Sequence, residues 1–254
     1  MIALQRGPLR ALVLHDRVAM GAAAADHAAA RLRERLALAG KARVVFAAAA
    51  SQHEFLDALS RADGIDWSRV EAFQLDEYVG LPQGDERSFG QWLEEHIWSR
   101  VHPGRIEKLD GGNPDPDAEC ARYGMLLADG GLDLALIGIG ENGHLAFNDP
   151  HVADFADPLV VKPVEIDEVS RRQQVRDGAF GSLELVPRRA MTVTMSTILA
   201  SRAISVVVPG PQKAAAVAAT LDGPIVTACP ASALRRHPDA VLFVDEAAAS
   251  QVTR

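Results

Sequence analysis

Seven short segments of the chain are almost continuously apolar and rich in β-branched residues, a pattern typical of strands buried on both faces. Between them, apolar residues recur with the spacing of amphipathic helices. Strands that alternate with helices predict an α/β fold, a modified Rossmann-like open sheet that is mostly parallel and has helices on both faces. The predicted strands are 9–14, 42–46, 70–75, 132–139, 190–195, 203–209 and 240–245, and the predicted helices are 17–39, 51–62, 88–100, 115–129 and 212–221.

Length and composition predict one domain over residues 1–254, since 48% of the 254 residues are hydrophobic and can form a sizeable core. The net charge of −8 argues against a nucleic-acid or anionic-membrane partner. No apolar segment reaches the roughly 18 residues of a membrane span, and the N-terminus lacks the pattern of a signal peptide. We therefore expect a cytoplasmic protein with a small-molecule partner, and the sequence leaves open whether it forms a homo-oligomer.

Polar residues follow three of the predicted strands. They lie in AAAASQHE after Phe46, DEYVGLP after Leu75 and GENGHLAFNDP after Ile139. Because ligands of open parallel sheets bind beyond the carboxyl ends of the strands, these loops are the expected place for chemistry.

The third loop contains G-x-G-x-x-G, the spacing of a dinucleotide-binding turn. Such a turn must open a helix that receives the pyrophosphate. Here Pro150 follows only seven residues after Gly143, and Asn148 with Asp149 is turn chemistry, so no long helix can begin there. The sequence therefore predicts no nucleotide cofactor. A metal site through His144, Asp149 and His151 has no further ligand spacing to support it, and no metal is predicted.

Acid–base chemistry is the alternative use of these loops. Gly140 and its neighbours let the backbone turn sharply beneath a substrate, and the same loop presents His144 and Asp149. Asp76 and Glu77 directly follow a hydrophobic strand, where burial raises the pKa of a carboxyl group. Taken singly, the histidine could satisfy loop hydrogen bonds and the two acids could cap a helix. Their occurrence together in one α/β chain favours a site.

At this point the sequence resembles the glucosamine-6-phosphate isomerase/deaminase family, to which the 6-phosphogluconolactonases are related in fold. The resemblance rests on LDEYVGLP, GGNPDPDAECARYG, LDLALIGIGENGHLAFNDP, VPRRAMTVTMSTILASRAISVVVPGPQKAAAV and PASALRRHPDAVLFVD. It implies conversion of glucosamine 6-phosphate and water to fructose 6-phosphate and ammonia, without metal or cofactor. It also implies that Asp76 moves a proton between C2 and C1 and that His144 protonates the ring oxygen.

Two positions depart from the family pattern. Asn142 stands where the family usually has an aspartate, and Asp149 stands where it usually has a glutamate. An amide orients an imidazole without stabilising its cation. We therefore expect compensation by Glu141 or Glu77, or a different substrate.

The phosphate end of the site is also atypical. The resemblance implies phosphate binding by Lys213 and by the loop at Ser51, although Ser51 with Glu54 also fits an S-x-x-E capping box. Arg172, in the basic segment SRRQQVR, is the predicted second phosphate ligand.

Three functions remain open on the sequence alone. The first is a deaminase of a phosphorylated amino sugar. The second is a 6-phosphogluconolactonase-like hydrolase or an isomerase of another sugar phosphate, such as galactosamine 6-phosphate. The third is a sugar-phosphate sensor without catalysis.

Overall fold

The computed structural model describes residues 1–253 and contains an eight-stranded sheet. Seven neighbouring strands are parallel, and the edge strand β1 pairs antiparallel with β2. The order across the sheet is β1-β2-β11-β10-β7-β3-β4-β6. These strands are β1 (Ile2–Arg6), β2 (Leu9–Leu14), β3 (Ala42–Phe46), β4 (Val70–Gln74), β6 (Arg105–Glu107), β7 (Leu134–Ile137), β10 (Ala203–Val208) and β11 (Ala240–Asp245).

Helices cover both faces of this sheet, because alternate strand residues point to opposite sides. Val44 packs in one core with α1 and α2, while Val45 packs in a second core with α5 and α8. The helices are α1 (Arg17–Ala39), α2 (His53–Ser60), α3 (Phe89–Leu93), α4 (Ser99–Val101), α5 (Pro116–Ala128), α6 (Glu168–Arg176), α7 (Met195–Leu199) and α8 (Ala214–Asp222), with a π-helical turn at Glu94–Trp98 between α3 and α4. Short 3-10 segments lie at Ala50–Gln52, Trp67–Arg69, Leu183–Leu185, Pro211–Lys213 and Pro230–Arg236.

The apolar segment 190–195 does not join the parallel sheet, contrary to the expectation from its composition. It forms β9 (Arg189–Val193), the middle strand of a second, antiparallel sheet with β5 (Asp76–Tyr78) and β8 (Val161–Glu165). A continuous apolar run indicates burial on both faces and does not indicate which strands pair with it. Strand β5 has only three residues, and two of them are acidic. It is therefore too short and too polar to be predicted from the pattern of apolar residues.

The chain reverses its winding direction between β3 and β7. From β3 it proceeds outward to β4 and β6, and from β7 it proceeds to β10 and β11 on the other side. Loops that follow such neighbouring strands leave towards opposite faces of the sheet and open a crevice between them. No helix starts in the loop after β7; the next one along the chain is α6, so the expectation that the glycine-rich segment opens no helix is confirmed.

Candidate active site

A cleft opens at this crevice. Its walls come from the loops after β3, β4, β7 and β10 and from one face of α6. Five of the residues predicted from the sequence line it together: Ser51, Asp76, Gly140, His144 and Lys213.

Asp76 is the first residue of β5 and borders the cleft. Burial raises the pKa of its carboxyl group well above the usual value, and the neighbouring charge of Glu77 adds to the effect. A carboxylate with a raised pKa is a stronger base once ionised, which suits proton transfer near neutral pH.

Glu77 is turned away from the cleft, since successive residues of a strand point to opposite sides. Its carboxylate accepts hydrogen bonds from the backbone N–H groups of Tyr78, Phe89 and Gly90 and from the side chain of Gln74. Burial raises the pKa of Glu77, and these hydrogen bonds oppose the rise. Glu77 therefore ties β5 to the start of α3, and the structure does not place it among the substrate-binding residues.

His144 is held through its Nδ1 atom. This nitrogen lies 2.8 Å from Oδ1 of Asn142, 2.8 Å from Oγ of Ser170 and 3.0 Å from Oδ1 of Asp149. The imidazole lies so close to Gly140 that a Cβ at position 140 would come within 2.0 Å of its Cε1. Gly140 is therefore needed to make room for the ring.

Asp149 is fully buried behind the imidazole. Burial acts to raise its pKa, but the hydrogen bonds with His144, Asn142 and Ser170 and the charge of His144 lower it to about 2. Asp149 is therefore ionised near neutral pH and lies where it stabilises an imidazolium.

Asp149 thus contacts His144 directly, although its side chain is shorter than the glutamate that is usual at this position. The expected compensation by Glu141 or Glu77 does not occur: Glu141 pairs with Arg176, and Glu77 holds backbone N–H groups. Asn142 instead bridges the pair, accepting from His144 and donating to Oδ1 of Asp149 at 2.9 Å.

Lys213 lies at the other end of the cleft, in the turn that precedes α8. Only 4% of the residue is exposed, and burial lowers its pKa to about 8. It takes part in no ion pair within the described residues, so its ammonium group is available to an anion that enters the cleft.

Ser51 does not form the capping box that the S-x-x-E spacing predicts. The turn that contains it has no side-chain cap, and Glu54 pairs with Arg17 at 2.9 Å. The hydroxyl of Ser51 lines the cleft and accepts a hydrogen bond from the Gln52 side chain at 3.1 Å. Its own proton is therefore available to a ligand.

Arg172 is not at the cleft, contrary to the expectation. Its side chain is 58% exposed and pairs with Glu168 one helical turn away. Arg176 does not line the cleft either, but it lies nearer to it, because it pairs with Glu141 of the loop after β7 and its charge lowers the pKa of Lys213.

Sequence reasoning missed the polar face of α6. Gln173 and Gln174 line the cleft, Gln173 accepts a hydrogen bond from the N–H of Glu141, and Ser170 contacts His144. The three residues have the i, i+3, i+4 spacing of one helix face, a signal that the neighbouring arginines obscured.

The fold and the cleft define a class: a Rossmann-like α/β protein with a buried carboxyl group, a carboxylate-supported histidine and a lysine without an ion pair around one pocket. The family model of glucosamine-6-phosphate isomerases/6-phosphogluconolactonase matches residues 15–243. The chain belongs to this family.

Relatives of known name support the assignment. The glucosamine-6-phosphate deaminase of Arthrobacter sp. (strain FB24) is 36% identical over 250 residues, which cover 96% of this chain and 93% of the relative. That of Pseudarthrobacter chlorophenolicus is 38% identical over 196 residues, 76% of this chain and 74% of the relative. A solved monomeric glucosamine-6-phosphate deaminase has a TM-score of 0.87 and 29% identity, covering 95% of this chain and 99% of that chain.

The 6-phosphogluconolactonase of Trypanosoma brucei has a TM-score of 0.76 at 17% identity, covering 96% of this chain and 98% of that chain. This similarity shows a common fold only.

Within residues 1–253, no helix has both the length and the apolar character that a membrane span requires. In the same part of the chain, no group of three or more histidine, cysteine or acidic residues is arranged to hold a metal ion.

Proposed function

We propose that this protein is a glucosamine-6-phosphate deaminase that converts glucosamine 6-phosphate and water to fructose 6-phosphate and ammonia. The observation that carries the proposal is the joint placement of Asp76, His144 and Lys213 around one cleft. This arrangement offers a base, an acid and a phosphate ligand to a single small molecule.

The reaction starts with ring opening. The Nε2 atom of a protonated His144 gives its proton to the ring oxygen, while Asp149 stabilises the imidazolium. The bond between C1 and the ring oxygen breaks, the C1 hydroxyl gives its proton to water, and the electron pair left on its oxygen forms the aldehyde carbonyl.

Asp76 then takes the proton from C2 while the C1 oxygen gains a proton from water, which gives an enolamine. Asp76 returns its proton to C1 as the nitrogen electron pair forms an iminium bond to C2. Water adds to the iminium carbon and passes a proton to the nitrogen, and ammonia then leaves as the remaining hydroxyl loses its proton and becomes the ketone carbonyl. The raised pKa of Asp76 favours its role in this transfer, because its carboxyl group must keep the proton after the proton leaves C2 and before it reaches C1.

At the phosphate end we assign Lys213 and the hydroxyl of Ser51 to the substrate phosphate, with Arg176 as the second cation in place of Arg172. The partner is then a small phosphorylated amino sugar, and we propose that the protein acts in the cytoplasm. The relative with the TM-score of 0.87 is monomeric, and we propose that this chain likewise needs no second copy for activity.

Ammonia release by the purified protein tests the proposal. We expect turnover of glucosamine 6-phosphate, with galactosamine 6-phosphate and 6-phosphogluconolactone as parallel substrates. Turnover of the lactone alone would replace the proposal by a hydrolase. If all three sugars bind without turnover, the protein is a sensor.

A further inference from the structure

Ser170 joins the acid–base pair to α6. Its side chain is fully buried, and its Oγ lies 2.8 Å from Nδ1 of His144 and 2.5 Å from Oδ1 of Asp149. It does not line the cleft, so a direct contact with substrate is not its role.

The proton positions in this cluster follow from its donors and acceptors. The carboxylate of Asp149 holds no proton near neutral pH and can only accept, so the single hydroxyl proton of Ser170 points to Asp149. The oxygen of Ser170 then offers a lone pair to Nδ1 of His144. Nδ1 must therefore carry the proton, and Nε2 is the nitrogen left free to exchange protons with a ligand.

Asn142 imposes the same arrangement. Its nitrogen donates to Asp149, and its oxygen accepts from the backbone N–H of His144, which fixes the orientation of the amide. The amide oxygen is thus a second acceptor at Nδ1. Because Asn142 carries no charge, Asp149 is the only group in this cluster that can compensate the charge of an imidazolium. The stability of the imidazolium therefore depends on the position of Asp149.

Helix α6 holds both oxygens of that carboxylate. The backbone N–H of Asp167 donates to Oδ2 of Asp149 at 2.8 Å, and Ser170 donates to Oδ1. Gln173 and Gln174 of the same helix line the cleft. The helix that forms one cleft wall therefore also sets the carboxylate behind the histidine.

We propose that Ser170 is a positioning residue of the reaction, which keeps Asp149 against His144 and, together with Asn142, holds the imidazole in the tautomer with its proton on Nδ1. This role rests on the proposed deaminase function and adds a residue that does not touch the substrate. Its loss leaves Nδ1 with two acceptors and removes one of the two side-chain hydrogen bonds that hold Oδ1 of Asp149, so the carboxylate is held less firmly against the imidazole.

The test compares three variants. Ser170→Ala is expected to lower kcat for ammonia release by about tenfold to a hundredfold, with KM within about twofold of wild type because the cleft lining is intact. Ser170→Thr keeps the hydroxyl and is expected to recover most of the loss. Ser205→Ala is the matched control: Ser205 is equally buried and its Oγ also lies 2.8 Å from a histidine Nδ1, that of His27, but neither residue lines the cleft.

A second readout follows the imidazole itself. In ¹⁵N NMR spectra, with the signals of His144 identified by their loss in His144→Gln, the neutral ring of the wild type is expected to be protonated on Nδ1. In Ser170→Ala we expect the proton to stay on Nδ1, because Asn142 and Asp149 still accept there, and its ¹H signal to move upfield because one acceptor is lost. Wild-type kcat in Ser170→Ala, an equal loss in Ser205→Ala, or an unchanged Nδ1–H signal in Ser170→Ala would each overturn the proposal.

Failure of the deaminase assignment can be distinguished from failure of the role given to Ser170. A wild-type protein that releases no ammonia refutes the proposed function, whereas the NMR spectra of wild type and Ser170→Ala still decide the role of Ser170.

Discussion

Asp76 and Glu77 are adjacent carboxyl groups with opposite surroundings. Hydrogen bonds from three backbone N–H groups surround Glu77, whereas no described residue donates one to the Asp76 carboxylate. The strand places one acid against backbone donors and the other at the cleft. The motif D-E-Y thus contains one catalytic candidate and one structural acid.

Lys213 gives the site a pH dependence. Its pKa of about 8 means that the ammonium form is complete at lower pH and is lost as the pH rises through 8. The second pKa of a phosphate monoester is about 6, so the charge of the substrate phosphate is already constant there. We expect kcat/KM, which reports the free enzyme, to fall about tenfold for each pH unit above the lysine pKa.

Lys213→Arg separates this effect from other titrations. A guanidinium stays charged over the same range, so the alkaline decrease should disappear even if KM rises. A kcat/KM profile of the wild type that is flat from about pH 7 to about pH 10, or an unchanged decrease in the variant, would contradict the role given to Lys213.

At the scale of elements, the catalytic loop after β7 and helix α6 form one unit. The loop presents the histidine and its carboxylate, and α6 supplies Ser170 and the two glutamines of the cleft wall. The sequence predicts the loop residues, because strand ends and glycines mark them. It does not predict how α6 docks, since Arg171 and Arg172 dominate the segment while the uncharged side chains of Ser170, Gln173 and Gln174 face the loop and the cleft.

Gly140 tests the packing of this loop. Gly140→Ala places a Cβ within 2.0 Å of the His144 ring, so the ring must shift by an ångström or more, and a misplacement of 1 Å costs about a hundredfold in rate. We expect kcat for ammonia release to fall by about that factor with the fold retained by circular dichroism.

Gly181→Ala is the matched control for this substitution. An added Cβ there meets nothing within 4 Å, and its backbone is not in the left-handed region. Wild-type kcat in Gly140→Ala would show that the ring has room to move and that its position is not critical.

At the scale of the whole molecule, the site arises from topology. Residues 51, 76, 144 and 213 are far apart in the sequence and meet because β3, β4, β7 and β10 end at the same edge of the sheet. The apolar periodicity predicts these strands to within two residues. It predicts β9 but does not reveal the second sheet, because β5 is short, β8 is partly polar and the pairing depends on distant segments.

The central claim is that Asp76 and His144 perform the proton transfers. The most direct measurement is ammonia release from saturating glucosamine 6-phosphate by the wild type, Asp76→Asn and His144→Gln, with folding checked for each. We predict that each variant loses about 10²–10⁴ in kcat, the range of general acid–base catalysis. Variants that retain wild-type turnover would contradict the account, because the reaction would then proceed through other groups.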